Sequence, residues 1–165
     1  MAVERPGEEE MKAANVNPQT GLATDYLNLF NEATMLYELA LDMPALAQDL
    51  EGWVRKSYVE HFEQSGFARR DVVIAAYYSA PADAKARFDG LCEQVCDSFG
   101  QAISSFLAAD LENPAELKKA RDALGELKHL VSLLDAEIHG RMPKLEDGHL
   151  EAPAEIDQAA IDALF

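Results

Sequence analysis

Basic residues are scarce in this chain. Fourteen Lys and Arg stand against 30 Asp and Glu, giving a formal net charge of −16 at pH 7. A field of that sign repels phosphate backbones and anionic lipid headgroups, so the composition argues against nucleic acid and membrane surfaces as partners. A basic patch on another protein remains compatible with it. Long apolar runs are absent as well: no stretch reaches the roughly 18 apolar residues that a membrane span needs. Residues 1–15 lack the basic start and apolar run of a secretory signal, carrying instead Glu4 and Glu8 to Glu10. Cysteine is nearly missing. Cys92 and Cys96 lie four positions apart and close no loop, which reads as two reduced, buried thiols of a cytoplasmic protein. There is no glycine-rich phosphate loop and no Ser/His/Asp spacing that stands out. Neither Glu60, His61 and His139 nor the Cys92/Cys96 pair makes a recognisable ligand set, because no two histidines sit at i, i+3 or i+4 and a Cys pair supplies only two ligands. No metal and no cofactor is therefore expected on this chain.

What is present is helical patterning. The chain has 165 residues, 48% hydrophobic and 27% charged, enough for one domain with a core. Residues 1–20 are polar and acidic, have Pro6 and Pro18 near their ends, and show no apolar period. They are expected to be disordered. From Thr24, a candidate cap, Tyr26, Leu29, Phe30, Ala33, Leu36, Tyr37 and Ala40 fall on one helical face until Pro44. A second helix is expected over 46–64, with Leu50, Trp53, Val54, Tyr58 and Phe62 inward and Gly66 as its stop. Residues 71–79 suit a short helix. Pro81 begins a long helix reaching about Ala108, with Phe88, Leu91, Cys92, Val95, Phe99, Ala102, Ile103 and Phe106 on its apolar side. Asn113 caps the next helix.

On that last helix Leu117, Ala120, Leu124, Leu127, Val131, Leu134 and Ile138 are spaced alternately three and four apart. This is a heptad seam, which needs a facing helix from the same chain or, as a homodimer, from a second copy. Gly140 ends it. Residues 141–154, with Pro143, Gly148 and Pro153, read as a linker. The fold class expected is all-α: a bundle of four or five helices over 21–140, then the linker, then an amphipathic tail over 155–165. In the tail, Ile156, Ala160, Ile161, Leu164 and Phe165 make one apolar stripe. Nine to eleven residues (roughly three turns) are too few for a stable helix alone in water, so the segment is expected to fold on a partner.

The string Gln158-Ala159-Ala160-Ile161-Asp162-Ala163-Leu164-Phe165 resembles the peptide by which the flagellar switch protein FliM captures phosphorylated CheY, roughly Ser-Gln-x-Glu-Ile-Asp-x-Leu-Leu. Gln158, Ile161, Asp162, Ala163 and Leu164 match it. Asp157, Ala160 and Phe165 depart from it, standing where Ser, Glu and Leu are usual. The chemotaxis phosphatase CheZ carries a related acidic and apolar helix ending in Phe.

A second string, Asp97-Ser98-Phe99-Gly100-Gln101, is similar to the mid-helix signature of the CheZ family. Asp97 and Gln101 are four apart, so they project from one face, away from the apolar side. The resemblance implies that Gln101 holds a water in line with the partner's aspartyl phosphate. It implies that Asp97 pairs with the partner's lysine, and that the Mg²⁺ belongs to the partner. Phe99 departs from the family, which has Thr before the Gly. So does the region 22–80, broken at Pro44, Gly66 and Pro81 where the family has one long hairpin. The implied function is binding, with possible dephosphorylation, of a CheY-type response regulator in bacterial chemotaxis or motility. The alternatives are a non-catalytic adaptor or sink for a regulator, and a helical domain whose tail match is accidental. His129, beside Lys128, invites comparison with histidine phosphotransfer domains. The residues after it lack the Lys-Gly pair of that family, and a position at the bundle rim is the plainer reading.

Overall fold

The computed structural model describes residues 4–140. The linker 141–154 and the tail 155–165, with Gln158, Ile161, Asp162, Ala163, Leu164 and Phe165, lie outside them. Among the described residues the architecture is all-α, with one two-stranded hairpin. The helices are α1 (Glu8–Ala13), α2 (Leu27–Asp42), α3 (Ala47–Glu51), α4 (Tyr58–Gln64), α5 (Arg70–Tyr78), α6 (Ala82–Ala108) and α7 (Pro114–Ile138). Strands β1 (Val16–Asn17) and β2 (Leu22–Ala23) pair antiparallel, with Val16 opposite Ala23. No helix among the described residues is long and apolar enough to cross a membrane.

The two longest helices form the frame. In α6 the residues Phe88, Cys92, Val95, Cys96, Phe99, Ile103 and Phe106 are buried, a stripe recurring every three or four positions. Pro81 stands at its N-cap. After residues 109–113 the chain reverses into α7. There Asn113 Oδ1 accepts the Ala115 amide at 2.9 Å and Pro114 opens the first turn. The hairpin is antiparallel: Arg87 near the start of α6 reaches Glu137 near the end of α7, Nε to carboxylate 3.5 Å.

The seam of α7 is closed within this chain. Ala120, Leu124, Leu127, Leu134 and Ile138 are buried, Leu117 and Val131 partly so, and α2 and α6 pack along the helix. Tyr37 of α2 donates its hydroxyl to the Ala120 carbonyl at 2.8 Å and stacks on Phe106 with centroids 4.6 Å apart. A homodimer is therefore not what buries the heptad positions.

The aromatic-rich first half covers the other side of α6. Tyr26 meets Phe30, Tyr58 and Phe88 edge-on at 5.2, 5.2 and 6.2 Å, while Phe30 and Trp53 lie against Phe99 at 5.1 and 5.7 Å. Offset and edge contacts of this kind suit the ring quadrupole and add to the burial of large apolar surfaces.

Three expectations are corrected here. Within residues 4–20, expected to be disordered, α1 and the first strand of the hairpin are built, and Met11, Ala14 and Val16 are buried in the core. Gly21 makes this possible. Its φ is +76°, and a Cβ there would lie 2.9 Å from the Ala76 carbonyl oxygen, so only glycine lets the hairpin approach α5. Thr24 is not a cap; it opens a short 3₁₀ turn, Thr24–Tyr26, leading into α2. The helix expected over 46–64 is two helices, α3 and α4, separated by an irregular segment 52–57. Trp53 Nε1 donates to the Leu29 carbonyl at 2.8 Å, and Tyr26 donates its hydroxyl to the Lys56 carbonyl at 2.7 Å. The Lys56 carbonyl thus takes a long-range partner in place of a helical one, the Trp53 side chain pins the segment to α2, and Val54, expected inward, is 64% exposed.

Candidate functional site

The candidate pair sits midway along α6, on the side that carries no core residue. Asp97 and Gln101 are both exposed. Their surroundings differ. Asp97 Oδ1 accepts from Arg55 Nη1 at 2.6 Å, and Arg55 Nη2 reaches Glu93 at 3.3 Å, so one guanidinium spans two carboxylates a turn apart. The hydrogen bond to Asp97 is the main reason the Arg55 pKa is raised above its already high value. Arg55 belongs to the segment 52–57, which is held independently of this contact by Trp53 and Tyr26 as described. It is also held by Ser57, which caps α4: its hydroxyl accepts the Glu60 amide at 3.1 Å while Glu60 accepts the Ser57 amide at 2.9 Å.

Gln101 borders the groove between α6 and α7, a space of about 590 Å³. Tyr37, Phe106, Ala120 and Leu127 form its buried floor, and Ser98 and Ser105 share the α6 wall with Gln101. The Gln101 amide has no hydrogen-bond partner among the described residues, whereas Asp97 is engaged. The two residues thus share the exposed middle of one helix without forming a single pocket.

A second cleft of about 450 Å³ lies between α6 and the segment 55–60. Its walls include Tyr26, Tyr58, Tyr77, Cys92 and Cys96. The Tyr26 hydroxyl is 4.0 Å from Cys96 Sγ, and neither cysteine is in a disulfide. Burial pushes both thiols and the three phenols up, so the thiols are protonated and poor nucleophiles at neutral pH. Tyr58 accepts the Ala23 amide at 2.8 Å, and Tyr77 donates to Asp89 at 2.7 Å. These polar groups tie α4 to β2 and α5 to α6.

The histidines are dispersed. His61 packs edge-on against Tyr26 and Phe62, His129 is exposed on α7, and His139 Nδ1 lies 2.9 Å from the Asp135 carbonyl. Among the described residues no three His, Cys, Asp or Glu side chains converge as a metal site. Arg55 is the residue that reading the sequence missed. An isolated arginine in a stretch read as helix carries no local mark, and its partners lie 38 and 42 positions away.

Compared with protein-family models, curated proteins and solved structures, the chain matches none.

Proposed function

We propose that this chain is a cytoplasmic partner of a phosphorylated CheY-type response regulator in a bacterial chemotaxis or motility system. In this reading segment 155–165 docks on the regulator as an amphipathic helix, and the exposed middle of α6 meets the regulator's phosphorylated face. The observation that supports it best is Gln101, a carboxamide exposed mid-helix on the 27-residue α6, without a hydrogen-bond partner among the described residues and four residues from the carboxylate of Asp97. A neutral amide orients water toward a phosphoryl group without adding negative charge beside it. Loss of phosphate from an acyl phosphate needs mainly positioning and charge compensation, with the Mg²⁺ supplied by the regulator. A tethered tail raises the local concentration of that amide at its target.

A second reading, a non-catalytic adaptor for the same regulator, is favoured by the engagement of Asp97 with Arg55. Two variants separate the readings. Deleting residues 155–165 should abolish binding to a regulator carrying beryllofluoride and Mg²⁺; unchanged affinity refutes the proposal. Gln101→Ala should preserve binding and abolish acceleration of phosphate loss, by about 10²-fold or more if the amide positions the water. If the wild-type chain binds but leaves the decay rate of the regulator unchanged, the adaptor reading stands and the phosphatase reading falls.

A further inference from the structure

We infer that Arg55 is a specificity-determining residue of this site, an internal counterion that a partner's cation must replace before Asp97 can be used. The inference rests on the regulator-binding reading above. Asp97 is the one acid in the candidate pair, and its carboxylate is occupied by Arg55 at 2.6 Å. A lysine arriving from a partner therefore competes with a residue already in place. Arg55 is tethered, so its effective concentration at Asp97 is high, and its fork is held on the other side by Glu93 at 3.3 Å. Only a partner that brings a cation to the right point while gaining contacts elsewhere wins the exchange. A free cation or a receiver domain without tail contacts does not.

The pair is exposed, with 44% of the Arg55 side chain and 62% of the Asp97 side chain accessible, so the exchange barrier is small and the contact is replaceable. Removing Arg55 leaves the segment 52–57 anchored by the Trp53, Tyr26 and Ser57 hydrogen bonds, so the variant retains the local backbone.

The test uses the full chain and a CheY-type receiver domain loaded with beryllofluoride and Mg²⁺, with phosphate loss followed in parallel on the phosphorylated receiver. Arg55→Ala should tighten binding about two- to five-fold, the range expected for an exposed pair. Where turnover is seen, KM should fall by the same factor with kcat unchanged. Arg55→Lys, which keeps the charge but not the fork, should fall between wild type and Arg55→Ala. In an Asp97→Asn background, Arg55→Ala should have no effect on affinity. Unchanged or weaker binding by Arg55→Ala, or an equal gain with Asp97→Asn present, overturns the counterion role while leaving the regulator reading intact. A wild-type chain that does not bind the loaded receiver at all overturns both.

Discussion

His61 stands edge-on between two rings, its centroid 5.6 Å from that of Tyr26 and 5.0 Å from that of Phe62. Burial is the main influence on it and lowers its pKa from the ordinary 6.5, because a charged imidazolium loses water there. The folded state thus binds a proton less readily than the unfolded state. Its contribution to stability is fully present above the ordinary value of 6.5 and is lost as pH falls below it toward the folded value. Urea midpoints measured between neutral pH and pH ~5 should fall with acidity, and His61→Gln should flatten that part of the curve. An unchanged slope would place the acid sensitivity elsewhere. The pressed ring and the buried phenols around it share one origin: residues 22–80 supply polar-tipped aromatics whose bodies fill the core and whose tips bind backbone or, for Tyr77, the Asp89 carboxylate.

At the scale of elements, legibility followed length. Helices α6 and α7 are visible in the sequence because each repeats its apolar stripe over about five or six turns and carries a recognisable start. The Asn113 cap is the clearest case: Asn113→Ala should cost about 1 kcal/mol in chemical denaturation, with little change in m-value. The segment 46–64 misled for a physical reason. Leu50, Val54, Tyr58 and Phe62 keep a spacing of four, but the segment between Gly52 and Ser57 is held by the Trp53 side chain and the Lys56 carbonyl, in tertiary hydrogen bonds that no local pattern announces. The two-residue strands are too short to show alternation, and the turn that joins them depends on Gly21 meeting Ala76, far away in sequence. The candidate site was legible to the same degree. Asp97 and Gln101 are exposed at helical spacing, as their pattern indicates, while the arginine that engages one of them is brought by the irregular segment.

For the molecule as a whole, the N-terminal segment supplies apolar residues to the core while Glu8 to Glu10 stay exposed. Met11 is 2% exposed and Ala14 fully buried, and α1 packs on β1 and α5. Removing residues 1–15 should therefore destabilise the domain by several kcal/mol. Met11→Ala alone should cost about 2–5 kcal/mol, seen as a lower urea midpoint. A truncation that unfolds no more easily than the full chain would show that this packing contributes nothing.

The Thr20 hydroxyl donates to the Ile138 carbonyl at 2.6 Å, a contact 118 positions apart in the chain. On a ribosome these two groups are made on the order of ten seconds apart. During that interval Met11, Val16 and Leu22 have left the exit tunnel while α7, which closes over the hairpin, has yet to be synthesised. Emerging apolar residues with no native partner are what chaperones capture, so the hairpin stays open to them until α5 and then α7 have been made.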